Sequence, residues 1–267
     1  MKKIVNILFL GLLIMACNNS NSNSAAVALP EVEKNLKADI EKYPDSAKLK
    51  DSLINYYTIN GNYSQAIAEI DKFIKKDTAN AVWWDTKAQL YFQNNDTINS
   101  IKALEKAVEI NADPEYIISL GAAYAQARDP KALTMSDALL LTPTARAQTY
   151  AIFIKGLYYN SVSDYAKAIP YFDECIRSNY IFMDAYTEKV IALLGMGKYN
   201  DALGVAKKTV TISNTYPDGY YWMGRCYEKL NDKNEAIRNY QAAIELAAQV
   251  NDDYILARDA LGKLGVK

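Results

Sequence analysis

No histidine occurs anywhere in the 267 residues, so the side chain most often used as a general base, and most often found on a transition metal, is missing. Cysteine is nearly as scarce. Of three, Cys17 ends an apolar leader, and only Cys175 and Cys226 remain in the rest of the chain. A disulfide needs Cα atoms within about 7 Å; these two fall one and a half units apart in the period described below and are expected as buried free thiols. Neither sign of charge is in excess, with 30 Lys and Arg against 31 Asp and Glu. No basic run is present to hold nucleic acid or to lie on a membrane surface. Gly195-Met196-Gly197-Lys198 lacks the full spacing of a phosphate-binding loop and follows a helical pattern, not a strand, so it reads as a turn. With no nucleophile-base pair, metal cluster or phosphate loop, the sequence predicts no catalytic residue, no cofactor and no metal.

What the chain does have is a period. Ala81 to Pro114 reads as a complete helix-turn-helix: Trp84, Ala88 and Tyr91 share one face of a first helix, and Ser100, Leu104 and Ala107 share one face of a second. Asn94 to Thr97 is the turn between them, with side chains that cap helices. A step of 34 residues links Ala66, Ser100, Thr134, Ala168, Ala202 and Ala236, all small or slender. The same step links Tyr57, Tyr91, Tyr159 and Tyr227, with Leu193 in frame, and the turn residues Gly61, Asn95, Ser163, Gly197 and Asn231.

Such a unit resembles the tetratricopeptide repeat, whose period is 34. The matching elements are Trp84, Gly156 and Gly224 in first helices, the Gly/Asn turn, and the small anchor at Ala66, Ala168, Ala202 and Ala236; Pro114 and Pro217 sit a few residues later than the family's closing proline. The resemblance implies an all-α fold, a right-handed α-solenoid of about six units, with its core running along the stack. The third unit, about 115–148, is irregular. Leu120, Gly121 and Tyr124 come one residue early and Ala132 two, so a longer connection through Thr142-Pro143-Thr144 is expected to absorb the slip.

Both ends of the array need covers. Val32, Leu36 and Ile40 make one apolar stripe on a charged segment that predicts a lone helix docking on the first unit, and Tyr254, Ala257 and Leu261 predict a C-terminal capping helix. Before these comes Met1 to Cys17, with Lys2 and Lys3 followed by an apolar run from Ile4 to Ala16 that is too short for a permanent membrane span. Ile14-Met15-Ala16-Cys17 resembles the lipobox of bacterial lipoproteins, which implies lipid attachment at Cys17. The polar tract Asn18 to Ser24 suits a tether. Asn18 is not the aspartate of inner-membrane retention, so the expected address is the periplasmic face of the outer membrane. Processing would leave a net charge of −3. The expected organisation is therefore a signal peptide over 1–16, lipidated cysteine and tether over 17–30, an N-terminal helix over 31–46, six repeats over 47–250 and a cap over 251–267.

In the family that the chain resembles, first helices line a concave groove that receives peptides or partner helices. Carried over, the groove here takes Ile118, Tyr150, Phe153, Leu157, Asp184, Glu188, Ile191, Tyr221 and Arg225, an apolar middle with acidic flanks. An exposed apolar patch rimmed by charge suits a protein partner, either a peptide or an amphipathic helix. The expected function is a lipid-anchored periplasmic adaptor that binds another protein, attached to the membrane through its N-terminal lipid and to no nucleic acid. The alternative is a carbohydrate- or peptidoglycan-binding module stacking sugars on Tyr150 and Tyr221.

Overall fold

The computed structural model describes residues 29–247 and 252–266; the leader, Cys17 and the tether lie outside them. Among the described residues there are fourteen α-helices and no strand. They are α1 (Leu29–Lys42), α2 (Ala47–Ile59), α3 (Tyr63–Lys76), α4 (Ala81–Gln93), α5 (Thr97–Ile110), α6 (Pro114–Gln126) and α7 (Lys131–Leu140), then α8 (Ala145–Ser161), α9 (Tyr165–Ser178), α10 (Met183–Gly195), α11 (Tyr199–Ile212), α12 (Pro217–Lys229), α13 (Lys233–Leu246) and α14 (Asp252–Lys263). The chain forms two compact units that meet in sequence inside α6, between Leu120 and Gly121.

The turn inside each hairpin is built the same way. Gly61, Asn95, Ser163, Gly197 and Asn231 all adopt the left-handed backbone conformation, with φ between 59° and 75°. One residue further on, an amide N–H reaches back to close the helix: Asn62 to the carbonyl of Tyr57, Asp96 to Tyr91, Asp164 to Tyr159, Lys198 to Leu193 and Asp232 to Tyr227, at 2.8–2.9 Å. This six-to-one bond is the Schellman closure. In the irregular unit Arg128 takes the left-handed place, φ 61°, one residue ahead of the frame. Asp96 and Asp232 then cap the next helices, accepting from the amides of Asn99 and Glu235.

First and second helices differ in how much of their surface is buried. In α9 the buried residues Ala168, Phe172 and Cys175 form one stripe. In α8 Ala147, Tyr150, Ala151, Phe153, Ile154, Gly156, Leu157 and Asn160 are buried on all sides, because α7, α9 and α10 pack around it. A helix apolar all round is an inner helix. α4 is less enclosed: Trp83 and Leu90 fill the core, while Trp84 and Tyr91 on the other face are half-buried under Lys87.

Ion pairs repeat with the hairpins. Lys87 bonds Asp71 at 2.6 Å, Lys155 bonds Asp137 at 2.9 Å and Lys189 bonds Asp173 at 2.5 Å, each tying a first helix to the preceding second helix. Their carboxylates are well exposed, so each is worth at most about 1 kcal/mol; register is their main contribution.

The small anchor is buried at Ala66, Ser100, Ala168, Ala202 and Ala236. Thr134 is the exception. It is exposed, and Ala132 is buried in its stead. The connection through Thr142, Pro143 and Thr144 is not longer than its counterparts, which corrects the expectation above: residues 141–144 match 77–80, 179–182 and 213–216 in length. The slip is taken up within helices instead. α7 has 10 residues where the other second helices have 14, and α8 has 17 where the other first helices have 13. Continuing a helix keeps its backbone hydrogen-bonded, whereas a longer loop adds polar backbone that must find water.

In the first unit α1 sets Leu36 and Ile40 against the core of Leu53, Tyr57, Ile70 and Phe73, and the Tyr57 hydroxyl donates to Glu33 at 2.8 Å. At the other end α14 packs on α12 and α13 through Ala257, Ala260 and Leu261.

Candidate protein-binding face

In the second unit first helix α10 contacts first helices α8 and α12 directly, as no second helices of that unit do to the same extent among the described residues. That contact makes their shared side the inner side of the stack. The apolar floor expected there is closed. Phe153 is 1% exposed, and its ring sits 4.8 Å from Phe182 and 5.9 Å from Phe172. Tyr150 and Leu157 are buried as well, and in the first unit so is Ile118. The physical cause is Phe182, the residue before α10, whose ring also lies 5.3 Å from Tyr150 and covers this end of α8. Tyr221 is likewise core, edge-on to Trp222 and tilted against Tyr240, with its hydroxyl accepting from Arg225 at 3.0 Å. Neither Tyr150 nor Tyr221 offers an open ring to a sugar. Ile191, Asp184 and Arg225 remain partly exposed.

The acidic residues are drawn into hydrogen bonds between helices instead of standing free on a rim. Glu188 is 3% exposed and accepts from the Asn160 amide at 2.5 Å. The Asp218 carboxylate accepts from the Thr187 hydroxyl at 3.0 Å and from the Tyr216 hydroxyl at 3.1 Å. Asp184 lies close enough to Tyr216 to hold back ionisation of its phenol, behind the larger effects of burial and of Asp218. Among the described residues the buried Asp184 oxygen Oδ2 has no hydrogen-bond partner, and neither has Oδ1 of Asn160. Burial pushes the Asp184 carboxyl up to about 6. It stands in the first turn of α10, where the helix dipole favours an anion, yet desolvation wins. Lys155 pairs with Asp137, Lys189 with Asp173 and Arg225 with Tyr221 and Glu228.

Sequence reading selected Asp184 and Glu188 for this place but missed Asn160 and Tyr216. Asn160 was visible as a lone amide at the end of a helix otherwise rich in apolar residues. Its partner Glu188 lies 28 residues away, which no local pattern reports. In the first unit Asp85 resembles Asp184: burial lifts it to about 6, and the Gln89 amide donates to it at 2.7 Å. Both cysteines are buried free thiols, raised to about 12 mainly by burial, and they are unreactive at neutral pH.

Antiparallel helix pairs on a 34-residue period, closed by left-handed turns and stacked first helix against first helix, place the chain in the all-α helical-repeat class. The tetratricopeptide repeat family profile matches residues 84–114 and 217–249. DnaJ homolog subfamily C member 7 of Homo sapiens is 28% identical over 120 residues, 45% of this chain but only 23% of that protein's length. Among solved structures, a tetratricopeptide repeat protein from Parabacteroides merdae superposes with a TM-score of 0.70 at 18% identity, covering 87% of this chain and 92% of the other. PilW, a type IV pilus biogenesis factor, superposes with a TM-score of 0.58 at 19% identity, covering 78% and 96%. The chain thus carries tetratricopeptide repeats at these two places within an all-α helical-repeat solenoid, a fold that suggests a protein-protein interaction scaffold.

Proposed function

We propose that this protein is a lipid-anchored adaptor on the periplasmic face of the outer membrane, binding another protein along the first-helix side of its second unit. The observation that carries the docking reading is the row of α8, α10 and α12, which leaves Ile191, Asp184 and Arg225 partly exposed. A partly exposed apolar side chain flanked by an acidic and a basic one suits the mixed character of a protein interface. The anchor reading is supported by the apolar run ending at Ala16-Cys17 and by the polar tract behind it. The adaptor brings envelope components together and performs no chemistry.

A photo-crosslinking residue placed at Ile191 or Arg225 in intact cells tests this. One dominant protein adduct should form from these positions and not from Arg238, which is exposed on second helix α13. Equal adducts from Arg238 would move docking to the outer helices.

A further inference from the structure

In the second unit the connections from one hairpin to the next project apolar side chains into water. Leu141, between α7 and α8, is 87% exposed, and Tyr180 and Ile181, between α9 and α10, are 69% and 56% exposed. Both connections lie on one edge of the stack, because the last turns of α9 meet the first turns of α8. Cys175 Sγ stands 3.6 Å from the Thr149 carbonyl oxygen, and the ring of Phe182, next to Ile181, lies 5.3 Å from that of Tyr150. Two exposed cations flank the Tyr180-Ile181 tip. The Arg146 guanidinium is 4.9 Å from the centre of the Tyr150 ring against which Phe182 packs. The Tyr186 hydroxyl donates to the Tyr180 carbonyl at 3.1 Å, and the Lys208 ammonium is 5.7 Å from the centre of that Tyr186 ring. Carboxylates are absent from the stretches that build this edge: residues 138–149, 175–183 and 209–217 contain no Asp or Glu. Asp218, which follows the last of them, is held by Thr187 and Tyr216. The carboxylate-free run ends at α14, which opens with Asp252 and Asp253. The opposite edge mixes both signs, with Asp164 and Lys167, Lys198 and Asp201, and Asp232 and Lys233 beside its turns.

We propose that this edge of the second unit rests on the phospholipid bilayer, with Tyr180, Ile181 and Leu141 in the headgroup layer and Arg146 and Lys208 against lipid phosphates. Single exposed apolar residues are ordinary, but tips on neighbouring connections, rimmed by one sign of charge, make a contact surface. The sign calls for an anionic occupant. A bilayer is anionic, and it yields to side chains that project from separate connections. Tyrosine is suited to the headgroup level, aliphatic side chains to the acyl boundary just below it, and cations to the phosphates above. The inference rests on the proposed anchor at Cys17, which would confine the chain beside the membrane, so that individually weak contacts suffice. Resting on this edge leaves the first-helix face, with Ile191 and Arg225, open to a protein partner.

The test uses the processed, lipid-bearing chain, purified in mild detergent and reconstituted into vesicles of phosphatidylethanolamine and phosphatidylglycerol. A nitrobenzoxadiazole label on Ile181→Cys reads immersion, since Cys175 and Cys226 are buried and stay unlabelled. On vesicles its emission should rise roughly threefold, and nitroxide lipids should quench it by about half or more. The same label on Met196→Cys, exposed on the opposite edge, should do neither. Changing Arg146→Ser and Lys208→Ser together should remove at least about half of the quenching at position 181, because each cation near an anionic surface strengthens contact about fivefold. Circular dichroism and melting check that each variant is folded. A protein that floats with the vesicles while its label at position 181 stays in water overturns the membrane edge and leaves the anchor standing. A protein that does not float removes the anchor and this inference with it. Equal quenching at position 196, or quenching that survives loss of both cations, also overturns the edge. A label shielded from water but untouched by nitroxide lipid, increasingly so at higher protein density, assigns the edge to a second copy of the chain and overturns the lipid contact.

Discussion

The ring of Tyr240 occupies the space that a side chain at Gly224 would need: a Cβ added there would meet its Cδ1 and Cε1 at 2.6 Å. Gly156 and Phe172 repeat the relationship two units earlier. A buried aromatic residue on the second helix thus requires a bare backbone on the first. Gly224→Ala should destabilise by about 1–3 kcal/mol through overpacking, outweighing a helix-propensity gain of about 1 kcal/mol. Gly204, in the exposed middle of α11, has nothing within 4 Å of such a Cβ, so Gly204→Ala should stabilise by about 0.5–1 kcal/mol. Urea denaturation of both variants reads the difference in sign; stabilisation in both would mean that the Tyr240 ring yields freely.

Phe153 is a core residue and not a groove contact. Phe153→Ala should cost about 3–5 kcal/mol of stability by opening a cavity among Phe172, Phe182 and Tyr150. Near-wild-type melting of this variant, with partner binding lost, would restore the exposed floor that the sequence suggested.

Stability should depend on pH through Asp85 and Asp184. Both carboxyls are raised from an ordinary 3.8 to about 6 by burial. The folded state therefore holds protons that the unfolded chain has released. Their favourable contribution is fully present below about pH 4 and is lost as pH rises through about 6, on the order of 1–3 kcal/mol each. Subtracting the denaturation profile of Asp184→Asn from that of the wild type isolates one of them. A flat difference between pH 4 and 6 would show Asp184 to be hydrated.

Membrane attachment should depend on one sulfur. Cys17→Ser should abolish incorporation of radiolabelled palmitate and move the protein out of the membrane fraction, since stable anchoring takes more than one acyl chain. Continued labelling and membrane residence in that variant would end the lipoprotein reading.

Much of this architecture was legible in the chain because it is locally encoded. Gly61, Asn95, Ser163, Gly197 and Asn231 mark left-handed turns through their own backbone and side-chain preferences, and Ala66, Ala168, Ala202 and Ala236 mark the closest helix approach by size alone. The groove was less legible. Position on a first helix could not tell Phe153, 1% exposed, from Ile191, which is partly exposed, because such a helix is packed from both sides.

By itself, then, the sequence determined the helices, their 34-residue period and the turns, since each depends on residues within a few positions of one another. Only the tertiary structure decided what lies open. It shifted four residues from α7 to α8, laid Phe182 over Phe153, and brought Asn160 to Glu188 across 28 residues of chain. Burial and unmet hydrogen bonds arise where distant segments meet, and no local pattern of side chains records which segments those will be.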